Sequence, residues 1–240
     1  MSTEIVIREV APGVTIFSKP FARFGIVPFG GRSTAIKLTN GDVWVFVSTP
    51  LSDDTKSTLD TMGTVKYLIT PDAVHSLYIS EFHKAYPEAK CIGVEPLLSK
   101  KKEIPWVGGF GVDAAGTTYG YEPELTACYF SGFANKDVAF HHPASKSLIV
   151  ADLLFNLPGK EQYSKSTSSG HSLFASWLTP WAPVFKKFLG SQVTDKAAMA
   201  RDAKTVAAWD FDRIIPCHGD VIEGKGKEAW TTAYSNFLKE

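Results

Sequence analysis

Three polar residues stand where apolar runs of this chain give out. The run from Val65 to Thr70 leads into His75, the run from Ser147 to Ala151 breaks at Asp152, and the run from Arg213 to Cys217 ends at His218. Short apolar runs bounded by turn signals read as buried strands. A carboxylate at the end of a buried strand is costly unless a metal or hydrogen bonds meet it. Two imidazoles and one carboxylate form the donor set of an open, catalytic-type zinc site, and the same set also suits Fe(II) or Mn(II). Asp72, three residues before His75, is either a fourth ligand or a base for a metal-activated water. Each residue also has a plainer role. His218 can be a turn imidazole, Asp152 a cap for the segment after its strand, and His75 an acceptor for a backbone N–H at a helix start.

Other candidates rank lower. His141 and His142 are adjacent at a strand end, so their side chains point to opposite faces and at most one can reach a shared site. Cys217, beside His218, reads as a buried small hydrophobe before it reads as a site thiol. His83 and His171 read as solvated.

The elements that must deliver the three residues follow from periodicity and turn signals. Residues 4–9 and 13–18 alternate as a hairpin across Ala11, Pro12 and Gly13. Residues 33–38 and 43–47 form a second hairpin, whose Asn40-Gly41 suits a type I′ turn. The stretch 19–32, rich in Phe21, Phe24 and Phe29, reads as a loop. A helix over 53–62 is capped by Ser52 and ended by Gly63. Strand 65–70, a helix over 76–85 and strand 90–94 complete a β-α-β-α-β run typical of a sheet with covering helices. The glycine- and proline-punctuated stretch 95–120 reads as irregular, and the Ser-rich tract 159–170 as mobile. Strands over 125–130, 137–142 and 147–151 follow. Next come an apolar helical stretch from Trp177 to Phe188 broken by Pro180 and Pro183, and a helix over 195–209 capped by Thr194. Strand 213–216 and a final helix over 225–238 finish the chain.

Composition bounds the function. The 240 residues suit a single domain spanning 1–240, and Lys plus Arg balance Asp plus Glu at 25 each. No net field draws the chain to nucleic acid or to an anionic membrane. Cys91, Cys128 and Cys217 are odd in number and widely spaced, which favours free thiols in a reducing compartment. Without a leader or a membrane-length apolar run, the expected location is cytoplasmic. The aromatic stretch containing Trp177, Trp181 and Phe185 is expected to be core or a homodimer patch.

In element order and in two motifs the chain resembles the metallo-β-lactamase-like superfamily. The segment 150–155 around Asp152-Leu153-Leu154-Phe155 resembles the family's bridging-aspartate strand, and Pro216-Cys217-His218-Gly219-Asp220 resembles its last histidine segment. The resemblance implies a four-layer αββα sandwich. Set against the family's first His-x-His-x-Asp-His motif, the segment Thr70 to His75 keeps only its final histidine, with Asp72 and Val74 among the replacements. Phe133 falls where the third histidine of one metal site would stand. The implied centre is therefore reduced to one divalent metal, zinc before iron or manganese, on His75, Asp152 and His218.

The expected activity is hydrolysis of a small-molecule ester, thioester or related acyl bond. An apolar pocket lined by Trp106 to Gly111 and by Phe21 to Phe29 would hold the substrate. The rival expectation is a metal-free pseudoenzyme that keeps the fold and binds a ligand or partner in its emptied cleft.

Overall fold

The computed structural model describes residues 5–23, 25–172 and 177–239. Strands β1 (Val6–Ala11), β2 (Val14–Lys19), β5 (Gly31–Lys37), β6 (Asp42–Phe46), β7 (Thr64–Ile69), β8 (Lys90–Val94) and β9 (Trp106–Phe110) form a seven-stranded sheet in the order β1-β2-β5-β6-β7-β8-β9. Its first four strands pair antiparallel and the rest parallel. Strands β10 (Thr126–Tyr129), β11 (Val138–His142), β12 (Ser147–Val150) and β13 (Arg213–Pro216) form a second sheet, in which only β12 and β13 run parallel.

Side-chain alternation sorts the residues into layers. On β6, Trp44 and Phe46 face the second sheet and meet Phe140 of β11, with ring centroids 5.0 and 6.3 Å apart. Val43 and Val45 face outward onto Leu59 of helix α1 (Asp53–Met62) and Phe82 of helix α2 (Ile79–Ala85). The second sheet turns Leu148, Val150 and Ile214 onto the other helical layer. That layer comprises α4 (Pro183–Ser191), α5 (Lys196–Ala208), α6 (Gly226–Ala233) and α7 (Ser235–Leu238). The result is the expected αββα sandwich. Each large buried ring contributes roughly 1.5–3 kcal/mol by leaving water.

Local structure departs from expectation in ways that have physical reasons. Residues 19–32 are not all loop: β3 (Ala22–Arg23) and β4 (Val27–Pro28) form a small ribbon, and β5 begins at Gly31. The stretch 95–120 is not irregular throughout, because helix α3 (Glu95–Lys100) and edge strand β9 lie within it. Its glycines are packing space: an added Cβ at Gly109 would stand 2.6 Å from Leu98, and one at Gly111 would stand 2.7 Å from Tyr129. At Asn40-Gly41 positive φ falls on Gly41 alone, the Asn40 carboxamide accepts from the Asp42 N–H, and the turn is a three-residue loop in place of type I′. Helix α5 is capped by Asp195, whose carboxylate accepts from the Ala198 N–H, and not by Thr194, whose hydroxyl donates to the Gly132 carbonyl. Pro183 opens helix α4 at a position where its missing N–H costs nothing, and the last helix divides at Tyr234. Trp177 and Trp181 are exposed, whereas Phe185 is fully buried. No described helix is long and apolar enough to cross a membrane, and the three cysteines are buried and unpaired.

Candidate metal centre

The C-terminal ends of β7, β12 and β13 meet at one rim of the sandwich. After β7, the buried Asp72 turns the chain: its Oδ1 accepts from the N–H groups of Val74 and His75, each at 2.7 Å. Backbone bonds from Ala73 N to Asn135 O and from Val138 N to Pro71 O fasten this turn to the second sheet. After β12, Asp137 Oδ2 accepts from Asp152 N at 2.7 Å and from Leu153 N at 3.0 Å, fixing where Asp152 leaves the strand. After β13, Gly219 turns with φ +98°, and any side chain there would run into the Asn156 backbone. This explains why glycine follows His218.

Two buried side chains from remote segments hold the loop that carries His218. Arg32 Nη1 donates to the carbonyls of Pro216 (2.6 Å) and Gly219 (2.5 Å). The Gln162 carboxamide donates to Cys217 O and accepts from Gly219 N. The tract around Gln162, expected to be mobile, is thus partly built into the site's frame.

The three sequence-predicted donors converge. His75 Nε2 lies 3.0 Å from His218 Nε2, His218 Nε2 lies 3.3 Å from Asp152 Oδ1, and His75 Nε2 lies 3.9 Å from the same oxygen. The chemistry of their partners assigns the ring protons. His218 Nδ1 faces the Gly30 carbonyl at 2.7 Å, which can only accept, and His75 Nδ1 faces Asp72 Oδ2 at 2.7 Å. Both Nδ1 atoms therefore carry hydrogen, and in the neutral rings both Nε2 lone pairs point at each other and at a carboxylate oxygen. Such a convergence is repulsive unless a proton or a cation lies within it. A backbone carbonyl or carboxylate on the second ring nitrogen is the usual support for a metal-binding histidine. Donors about 2.1 Å from a tetrahedral ion stand about 3.4 Å apart, which matches these spacings. The residues fit a divalent metal.

Electrostatics agree with that demand for positive charge. Burial pushes His75 down, but Asp72, Cys217 and Asp152 outweigh it and hold the ring well above its ordinary value. His218 is likewise raised against the cost of burial, by Cys217 and Asp152. For Asp152, burial acts upward, yet the two imidazoles and the Asn135 carboxamide (2.5 Å) bring the acid down to about 2. Burial, then Asp72 and Asp152, push Asp137 well above the carboxylate range. Burial would raise the Cys217 thiol, but His218, His75 and hydrogen bonds from His75 and Ser48 bring it down to about 6.

The site opens through two small cavities that share Phe21, Arg23 and His218. One, of about 100 Å³, adds Val74, His75, Leu77 and Tyr78. The other, of about 190 Å³, adds Phe29, Asn135, Asp152 and Phe155. Phe21, Val74 and Leu77 are exposed apolar side chains at the rim, beside Arg23. Phe21 and Phe29 of the expected pocket are present there, and Phe24 lies outside the described residues. Trp106 to Gly111 line neither cavity; β9 is an edge strand of the seven-stranded sheet, two strands from β7.

The remaining candidates sort cleanly. His141 and His142 do not join the site: they pair with Leu148 and Ser147 at the start of β12, the end opposite Asp152. His141 stacks on Trp209 and bonds Asp210 O, while His142 bonds the Ser145 hydroxyl. Phe133 is fully buried in the core beneath α4 and α5. Asp72 has both oxygens engaged, one by backbone and one by His75. Arg32, Asn135, Asp137 and Gln162 frame the site without any local sequence signal. Cys217 did carry one, since alternation along β13 puts it on the same inward face as Ile215.

No protein-family model matches the chain, and no curated protein matches it. Solved structures do. A metallo-β-lactamase from Pontibacter korlensis superposes with a TM-score of 0.62 at 11% identity, over 99% of this chain and 100% of that one. One from Erythrobacter litoralis, with β-mercaptoethanol in its active site, gives 0.64 at 13% identity, over 100% and 99%. FIM-1 from Pseudomonas aeruginosa, in its mono-zinc form, gives 0.62 at 12% identity, over 98% and 95%. The chain has the metallo-β-lactamase fold. Its sequence is widely diverged from these structures.

Proposed function

We propose that this protein is a metal-dependent hydrolase with one divalent ion, zinc before iron or manganese, held by His75, Asp152 and His218. The observation that carries the reading is the pair of Nε2 atoms facing each other at 3.0 Å with Asp152 Oδ1 beside them, while both Nδ1 atoms are tied to acceptors. A bound metal supplies an activated water at neutral pH and polarises a carbonyl oxygen. The chain's own residues do the positioning. Asp72 fixes the His75 tautomer, Gly30 fixes that of His218, and Asn135 holds one oxygen of Asp152 so that the other faces the imidazoles. In this reading Asp72 is an orienting group, since one of its oxygens holds two backbone N–H groups and the other holds the His75 ring. The rim of Phe21, Val74 and Leu77 suits the apolar portion of a small ester or thioester and keeps bulk water from the reacting carbonyl.

Two points favour a second reading, a metal-free binding protein. The same 3.0 Å contact is a hydrogen bond if one ring is cationic, and Phe133 stands where the resemblance would place a further ligand. Elemental analysis of purified protein, with the His218→Ala variant alongside, decides between them. About one equivalent of metal in the wild type, lost in the variant together with activity on short acyl esters and thioesters, supports the hydrolase. No stoichiometric metal in either sample overturns it.

A further inference from the structure

We propose that Cys217 is a thiolate donor to the same ion, so that the centre offers two nitrogens, one oxygen and one sulfur. The inference rests on the metal reading above and extends its donor set. Three observations carry it. Alternation along β13 sends Cys217 inward beside Ile215, and the residue is 1% exposed. Its sulfur and the donor nitrogens of His75 and His218 all lie within 4.8 Å of one another. The Ser48 hydroxyl, at the end of β6, stands 2.9 Å from the sulfur, placed to donate to it.

Charge balance points the same way. Of the three proposed ligands only Asp152 is charged, with Asp72 one imidazole further out, and a thiolate in direct contact brings the charge of the donors level with that of the dication. The other two thiols have no such surroundings: Cys91 packs under α1 and α2, and Cys128 packs against α5. A sulfur donor also narrows the choice of metal, favouring zinc and cobalt over manganese or magnesium. The water invoked above would then enter as a fifth neighbour, an expansion zinc tolerates.

The test is Co(II) titration of reduced, metal-free protein, wild type and Cys217→Ser, read by absorption. The expected result is a near-ultraviolet sulfur-to-cobalt band that saturates at one equivalent in the wild type. In the variant that band is absent, the visible ligand-field bands remain, and affinity falls tenfold or more by chelator competition. Ligand-field bands without the sulfur band in the wild type would overturn this proposal and leave the three-ligand centre standing. Failure to bind Co(II) at all would overturn both. Should the variant not fold, the wild-type spectrum still decides, because Cys91 and Cys128 lie in other layers of the sandwich.

Discussion

The Nε2 atoms of His75 and His218 face one another across 3.0 Å although 143 residues separate them along the chain. Neither ring is free to turn away, since each Nδ1–H is anchored at 2.7 Å, one by Asp72 and the other by the Gly30 carbonyl. The pair is a preset demand for positive charge at one point between two sheets.

That anchoring makes Asp72 testable. In Asp72→Asn the carboxamide oxygen stays with the Val74 and His75 N–H groups, and the NH2 faces His75 Nδ1. The ring must then carry its hydrogen on Nε2, which removes a donor lone pair. Metal affinity should fall about 10–100-fold, as for other partners behind a ligand. Competition with a chromophoric chelator measures it, and unchanged affinity would show that Asp72 does not set the tautomer.

Asp137 should matter for stability more than for chemistry. Fully buried, it accepts from the N–H groups of Val138, Asp152 and Leu153. Asp137→Ala strands the Asp152 and Leu153 N–H groups, while Val138 keeps the Pro71 carbonyl, at about 1–3 kcal/mol for each buried group left unmet. Urea unfolding should therefore show a loss of at least about 2 kcal/mol. Asp137→Asn, which keeps one oxygen, should lose less.

Restoring a histidine at the position of Phe133 should not create a second metal site. The ring it replaces is fully buried against α4 and α5 in the core beneath the second sheet. Phe133→His should bind no additional equivalent of metal. It should unfold several degrees earlier, because a polar ring is placed in an apolar core at a cost of about 1–3 kcal/mol. Elemental analysis and a thermal melt check both halves.

Away from the site, His141 and His142 give the fold a defined acid sensitivity. Burial lowers both, so the folded state takes up their protons less readily than the unfolded chain does. Stability from this source is intact above the unfolded value of about 6.5 and declines as pH falls below it, by up to about 1.4 kcal/mol per pH unit for each proton. In metal-free protein, the drop in urea midpoint between pH 7.5 and 5.5 should be smaller for a His141→Gln, His142→Gln double variant than for wild type.

The sequence made the delivery points of the site legible because strand ends are local features. Asp152 and His218 each close an apolar run, and His75 stands in the turn just beyond another. The frame was not legible. Gln162 meets Cys217 over a separation of 55 residues and Arg32 meets Gly219 over 187, and no local pattern encodes either pairing. Strand β9 was hidden for a different reason. Glycines that usually punctuate loops are there to admit Leu98 and Tyr119 against the backbone, so the stretch lacks the β-branched composition of a strand. Cys217 is buried among apolar neighbours, as a small thiol usually is, and its inward face beyond β13 was readable from alternation.

The guanidinium of Arg32 bears on how the molecule would acquire the metal proposed above. It rises from β5 in the first sheet and grips the Pro216 and Gly219 carbonyls that flank His218 in the second, with Glu161 3.7 Å from its remaining nitrogen. Contacts of such long chain separation close late, once the entropy of the intervening loop has been overcome. Ion capture would then report completed docking of the two halves, and an amino-terminal or carboxy-terminal fragment on its own would be blind to the ion until its complement arrived.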